Sequence, residues 1–388
     1  MEQIKKIILD SVDQSSENIV AISHQIHEHP EMGNQEVFAS NLLINTLEEV
    51  GFSVERQFSG IPTAFCARKG QKPGAKVAFL AEYDALPGLG HACGHNLIAT
   101  SALAAGIGLG AVIDEVGGEV WVIGTPAEET DGAKTYMSQR GAFNGLDAAL
   151  MIHPHSGNYT LTNSLALSSI LVDYYGKSAH AAAAPWEGKN ALDAVLLLFN
   201  SLNALRQQIR PDARIHGVIT KGGEAPNIIP DHTQANFYVR ASQRAYLNEL
   251  RKKFYDCANA ASLATGCRVE INQPEQDFDE MVNNVPLAER FRDHMVADLG
   301  SAPFKPAPDH FGSIDMGNVS QVVPAIHCLI DITEFRPINP HTHEFAACAK
   351  SEYADLALLR AGKGLALTGL DVLSNPEFRQ QVKAYFKG

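Results

Sequence analysis

The sequence predicts an α/β fold: a doubly wound, mostly parallel sheet forming a catalytic domain, interrupted by an inserted ferredoxin-like α+β lid or dimerisation domain. Three observations carry this. Short apolar β-forming runs alternate with helical stretches through the first third, the pattern of a parallel sheet covered on both faces. The middle reads β-α-β-β-α-β, the order of a ferredoxin-like sandwich. The chain is also long, 388 residues, enough for two or three domains. Taken in order, 40–50 is a helix with an apolar stripe of Leu42, Leu43, Leu47 and Val50, stopped by Gly51. KVAFLAEY (76–83), EVWVIGTP (119–126) and AALMIH (148–153) are strands. Between them, 97–113 is a buried helix rich in alanine and glycine. The inserted unit has strands at 166–176, 213–220, 233–241 and 267–272, with helices at 190–209 and 244–263. Helices at 285–299, 344–362 and 375–386 and a strand at 322–331 complete the chain. The domains are therefore placed at 1–165 and 276–388, with the inserted one at 166–275.

Composition narrows the function. Apolar residues make up 45% and charged residues 19%, so the chain is globular rather than disordered. A net charge of −13 argues against nucleic acid or an anionic membrane as the main partner. Six cysteines without a CxxC pair read as reduced thiols of a cytoplasmic protein. The first twenty residues lack a signal-peptide pattern, and no apolar run reaches the length of a membrane span.

The chemistry collects at predicted strand ends, where doubly wound sheets place their sites. LAEYDALPGLGHACGHN (80–96) brings Asp84, His91, Cys93 and His95. TPAEET (125–130) brings Glu128 and Glu129, and MIHPHS (151–156) brings His153 and His155. NPHTHEF (339–345) adds His341 and His343. Alone, each has an ordinary explanation: a core histidine, a solvated glutamate pair, a small buried thiol. Together at successive strand ends, a thiolate, imidazoles and carboxylates suit Zn²⁺ or Mn²⁺. Adjacent side chains on an extended segment diverge, so one glutamate could ligate metal while the other holds the attacking water. With a metal polarising a carbonyl, those are the parts needed to hydrolyse an amide.

The motifs HQIHEHPE (24–31), AEYDALPGLGHACGHN (81–96), PAEE (126–129), GKSAHAAAAPWEGKNALDA (176–194), GGEAPNIIPD (222–231) and HTHEF (341–345) run in order along nearly the whole chain. The chain resembles the metallopeptidase and amidohydrolase family of aminoacylase, hippurate hydrolase and carboxypeptidase-G-type enzymes. AEYDALPGLGHACGHN and SIDMGNVSQVVPAIH (313–327) resemble its branch of p-aminobenzoyl-glutamate hydrolase B subunits and β-alanyl-lysine-type dipeptidases. The resemblance implies two divalent ions, with Cys93, His95, Glu129, His153 and His341 as ligands and His343 as the runner-up to His341. It implies Glu128 as general base and acid, and Asp84 as the group that orients a metal-bound imidazole. His180 would stabilise the oxyanion, reaching a partner's active site in related dimers, and Asn227 and Arg240 would bind the substrate carboxylate. Two departures stand out. Asn96 replaces the aspartate of the wider family's CGHD. Glu82 and Cys93 stand where dizinc aminopeptidase relatives carry a histidine ligand and a bridging aspartate, which puts metal preference and occupancy in question.

The expected substrate is a small dipeptide or N-acyl amino acid with a free carboxylate. A homodimer or dimer-based tetramer is expected from the inserted domain. Two other readings compete. A thiol amidase would use Cys93 as nucleophile with His95 or His91 as base, and would leave Glu128, Glu129, His153 and His341 idle. A regulatory or partner-dependent subunit would bind without turnover alone, and would need a companion subunit.

Overall fold

A computed structural model describes residues 1–308 and 312–387. The chain divides into two compact units, Met1–Asn163 with Met281–Gly388, and Ser164–Glu280. The second junction lies beyond the residue 275 expected from the sequence, and one side chain accounts for this. Arg244 donates from Nε to Asp279 (2.6 Å), from Nη1 to Asp277 (2.9 Å) and from Nη2 to the Phe278 carbonyl (2.6 Å). Its backbone N–H donates to Glu280 (2.9 Å), so the segment stays with the inserted unit.

The strands are β1 (Ser53–Arg56), β2 (Phe65–Lys72), β3 (Lys76–Ala81), β4 (Gly118–Gly124), β5 (Ala148–His155), β6 (Ala166–Tyr175), β7 (Arg214–Lys221), β8 (His232–Ala241), β9 (Arg268–Asn272) and β10 (Ala325–Asp331). In the first unit they form one six-stranded sheet ordered β1-β2-β4-β3-β5-β10. The contacts among β4, β3, β5 and β10 are parallel, while β2 runs antiparallel to both its neighbours. The parallel strands are apolar almost throughout because both faces are covered. Val77, Phe79 and Ala81 of β3 enter one core, and Ala78 and Leu80 enter the other.

The helix His95–Gly110 is buried along its whole length. Its small residues let neighbouring backbones come close. A Cβ on Gly106 would stand 2.5 Å from Val122 Cγ2 of β4. Gly362, in the helix Glu352–Ser374, faces it from the other side, where a Cβ would meet Ala104 Cβ at 2.5 Å and the Ser101 carbonyl at 3.1 Å. Among the described residues, no helix is long and apolar enough to cross a membrane.

The inserted unit is a four-stranded antiparallel sheet ordered β7-β8-β6-β9. With helices Ala191–Leu205 and Arg244–Thr265 it has the β-α-β-β-α-β connectivity expected. The period of two on β8 turns Ala235, Phe237 and Val239 toward Leu198, Leu247 and Phe254, leaving Gln234, Asn236, Tyr238 and Arg240 on the other face.

At an ordinary helix position, replacing glycine by alanine stabilises by up to about 1 kcal/mol. At Gly362 we expect the opposite sign. Gly362→Ala should lower the thermal midpoint of the first unit, with an overpacking cost of about 1–3 kcal/mol. A raised midpoint in calorimetry would show that the two helices separate freely.

Candidate metal centre

Parallel pairing puts the ends of β3, β4 and β5 on one edge of the sheet. Residues 82–84 leave β3, residues 125–129 leave β4, and His153 lies near the end of β5. The N–H of Thr125 donates to the Ala81 carbonyl (2.8 Å), which keeps the first two segments side by side. Gly94 (φ +79°) turns the chain from Cys93 into the helix that His95 begins. A Cβ there would stand 2.8 Å from Pro154 Cγ, so glycine is needed for both conformation and space.

Asp84 joins two of these segments. Its Oδ1 accepts from His95 Nδ1 (2.8 Å) and its Oδ2 from the Glu129 N–H (2.9 Å). Burial opposes its charge, but the His95 imidazole and these hydrogen bonds hold the carboxyl below the usual range. An ionised Asp84 only accepts, so His95 carries a proton on Nδ1 and directs Nε2 elsewhere. That Nε2 is buried and has no hydrogen-bond partner. It faces Glu82 Oε2 at 3.5 Å and Glu129 Oε1 at 3.9 Å. Although burial works against it, Asp84 raises His95 well above its ordinary value, so a divalent ion at Nε2 would compete with a proton there.

The remaining donors converge in the same way. His153 Nδ1 donates to the Pro154 carbonyl (2.7 Å), and its Nε2 faces Cys93 Sγ at 3.4 Å. Burial, then the neighbouring His327 and His95, push His153 well down, which favours the neutral, ligating form. His341 lies with φ +63°, its N–H held by the Ala92 carbonyl (2.8 Å), and its Nε2 comes within 3.2 Å of Glu129 Oε1. Three sets of donor atoms lie within 4.8 Å of one another: Cys93, His95 and His153; Cys93, Glu129 and His341; and His95, Glu128 and Glu129. Two ligands of one tetrahedral Zn²⁺ stand about 3.4 Å apart given ordinary bond lengths. The spacings found, and the unpartnered His95 Nε2, therefore fit divalent metal. Cys93, His95 and Glu129 each belong to two of the three sets, so the sets overlap as those of a two-ion centre would.

Glu128 touches solvent at one side, yet burial, then the carboxylates of Glu82, Asp315 and Glu129, raise it well above its ordinary value. A carboxyl so placed is suited to take and return a proton. Burial pushes the Cys93 thiol up, the opposite of an activated nucleophile. His343 lies exposed at the start of the helix His343–Cys348 and belongs to none of the three sets. Asn96 donates its amide to Ser23 Oγ (3.0 Å) and the Ala349 carbonyl (2.9 Å), which an aspartate could not do.

Sequence reasoning missed several supporting groups. Lys134, fully buried, lies between Glu82 Oε1 (2.5 Å) and Asp315 Oδ1 (2.8 Å). Burial opposes its charge, and Asp315 and Glu82 more than restore it. His327 of β10 packs its ring 5.2 Å from that of His153. Glu36 holds the turn before the glutamate pair: Oε1 accepts from the Ala127 N–H (2.7 Å) and Oε2 from the Thr63 hydroxyl (2.8 Å). Ala127 needs that support because its φ is +58°. These polar residues were visible in the sequence, but nothing local marked them as buried.

In the inserted unit, described by itself, His180 is exposed and its Nδ1 accepts from the N–H groups of Ala182 and Ala183 (both 3.2 Å). The ring proton is thus on Nε2, the tautomer that donates outward. Asn227 is adjacent, its carbonyl accepting from the Ala181 N–H (3.0 Å). Both lie at the end of the sheet where Tyr175 pairs with His232. Arg240 is at the other end, paired with Leu167, about 26 Å along β8 from His232. One chain therefore does not bring Arg240 to His180 and Asn227.

Burial raises the Glu36 carboxyl from 4.5 to about 7. The folded protein then keeps a proton that the unfolded chain releases, so this group's stabilisation falls as pH rises from about 4.5 to 7. In metal-free protein, Glu36→Gln should flatten the decline in stability between about pH 4.5 and 7, by about 1–3 kcal/mol. Denaturation midpoints that run parallel for wild type and variant would contradict this.

Comparison with known proteins agrees with this architecture. Residues 166–265 match the family model described as a peptidase dimerisation domain. The chain is 39% identical to a Xaa-Arg dipeptidase of Mus musculus over 100% of its length and 93% of the relative's. It is 35% identical to the B subunit of the p-aminobenzoyl-glutamate hydrolase of Escherichia coli K12, over 70% of the chain and 60% of that protein. A Bacillus subtilis structure, described as a dinuclear metal-binding peptidase from the M20 family, shares the fold. It has a TM-score of 0.63 and 20% identity, covering 89% of this chain and 98% of that one. The full-length similarity places the chain in the M20 peptidase family, as a metal-dependent amide hydrolase.

Proposed function

We propose that the chain is a dipeptidase that cleaves short substrates with a basic C-terminal residue, using two divalent ions, Zn²⁺ or Mn²⁺. The observation that carries the metal reading is the overlap of three donor sets through Cys93, His95 and Glu129, with Glu128 beside Glu129. The full-length similarity to a Xaa-Arg dipeptidase supports the substrate class, ahead of the partial match to one subunit of an aminobenzoyl-glutamate hydrolase. Cys93, His95, Glu129, His153 and His341 hold the ions, and Asp84 fixes the His95 ring. Bound metal would supply Lewis-acid polarisation of the amide carbonyl and a lowered water pKa.

The chain's own groups do the rest. The Glu128 carboxylate accepts the proton of the attacking water and returns it to the leaving amine. His180 donates from Nε2 to the oxygen on which negative charge develops. Asn227 and Arg240 bind the substrate carboxylate. A dipeptide spans only about 7 Å, so the separation of Arg240 from His180 along β8 supports a working homodimer in which two copies contribute to one site. Six free cysteines fit a reducing, cytoplasmic setting.

Product formation by mass spectrometry on a panel of Xaa-Arg and Xaa-Lys dipeptides, p-aminobenzoyl-glutamate and N-acetyl amino acids tests the substrate. We expect turnover of the basic dipeptides that chelator abolishes. Preference for p-aminobenzoyl-glutamate would instead favour the aminobenzoyl-glutamate branch. Glu128→Gln should retain metal and lose about 10²–10⁴-fold in kcat. Near-normal turnover in that variant would remove Glu128 from the chemistry. His180→Ala should lower kcat by about 10²–10³-fold, and a change in KM alone would assign it to binding.

A further inference from the structure

The Glu82, Lys134 and Asp315 cluster has no part in the proton transfers above, yet its geometry is closely constrained. All three side chains are buried. Lys134 Nζ bonds Glu82 Oε1 (2.5 Å) and Asp315 Oδ1 (2.8 Å), and Asp315 Oδ2 accepts the Lys134 backbone N–H (3.1 Å). Asp315 thereby grips the lysine at both its ends, and the lysine fixes one oxygen of Glu82.

The other oxygen is left over. Glu82 Oε2 is buried and has no hydrogen-bond partner. A buried carboxylate oxygen without a donor carries a desolvation cost large enough to need compensation. Oε2 is directed at His95 Nε2, 3.5 Å away, itself without a partner. That distance is too long for a hydrogen bond. It is close to the separation of two groups that face one cation. A salt bridge serving packing alone would need one carboxylate on Lys134, and no free oxygen pointed at an imidazole.

We propose that Glu82 is a further carboxylate of the metal centre, aimed by Lys134 and Asp315 at the cation that His95 Nε2 faces. It stands outside the three donor sets, at the margin of the one that holds His95 with Glu128 and Glu129. Its effect is therefore on the ion at the His95 side and not on both. Lys134 acts through Glu82 as a positioning residue.

The inference rests on the metal-centre reading, and the test separates the two. Metal-free, reduced full-length protein is titrated with Zn²⁺ and with Mn²⁺, by calorimetry and by chelator competition. Wild type should bind two ions. Glu82→Gln keeps the oxygen that meets Lys134 and removes the charge. It should weaken one binding event by about 10–100-fold and leave the other in place. Lys134→Met should weaken the same event. Two-ion binding with unchanged affinities in Glu82→Gln would overturn this inference alone. Absence of divalent binding by wild type would overturn the metal-centre reading, and this inference with it. If Glu82→Gln does not fold, Glu82→Asp, which withdraws the oxygen by one methylene, carries the same comparison.

Discussion

The candidate site depends on the two hydrogen bonds accepted by one carboxylate. Asp84 stands three residues past the end of β3 and receives His95 from the following helix and the Glu129 N–H from the segment after β4. Parallel pairing brings those segments to the same edge, but alone it would leave them free to splay. Asp84 removes that freedom and selects the His95 tautomer at the same time. With Nδ1 committed, Nε2 has to look away from Asp84, toward Glu129 and Glu82. Backbone position and donor direction are thus set by a single ionised group.

The same geometry is expensive without a cation. Glu82, Asp84, Glu128, Glu129 and Asp315 lie close enough to perturb one another, and Lys134 is the ammonium buried among them. Like charges at short range cost several kcal/mol in a low-dielectric setting unless protons or metal compensate. A proton on Glu128, whose carboxyl burial and the neighbouring carboxylates raise, would supply that compensation in metal-free protein. Metal would displace that compensation, because Cys93, His95 and the carboxylates bind it in their deprotonated forms. Metal binding, proton release and stability are therefore linked at this edge of the sheet. The Glu36 carboxyl adds to the coupling, since it holds the strained Ala127 turn that delivers Glu128 and Glu129.

How much of this was legible follows from the kind of signal each part leaves. The strands Lys76–Ala81, Gly118–Gly124 and Ala148–His155 are apolar on both faces and stand out as short runs. Beyond them the residues that reach the edge are the polar ones, so the donors were readable from their place after a run. The strand Phe65–Lys72 was not, because FCARKGQK mixes charge with small residues and shows neither period. Its antiparallel course was therefore invisible, as was the exposed four-residue strand Ser53–Arg56 beside it. The helices Glu2–Gln14 and Ser16–Glu28 escaped the sequence reading although Ile8 and Val12, then Ile19, Ile22 and Ile26, mark buried stripes. Lys134 was illegible for a different reason. Its partners are 52 and 181 positions away in the chain (134 − 82 and 315 − 134), and a lysine at the start of a short helix normally faces water.

The inserted unit shows why an antiparallel sheet suits a shared site. Its strands alternate direction, so β6 ends and β8 begins at one edge, where the segments bearing His180 and Asn227 meet. The far end of β8 carries Arg240, beside Arg214 of β7 in the register. A rigid sheet holds those two sets of groups at a constant separation, about 26 Å along the strand. No substrate of dipeptide length can touch both. If both sets act on substrate, each must act on a different molecule of it, or two copies of the chain must present opposite ends to one. The second arrangement gives a site that is complete only in the assembly. It makes the spacing along β8 a functional dimension, because lengthening the strand by two residues would move Arg240 by about 7 Å while leaving every side chain on its original face.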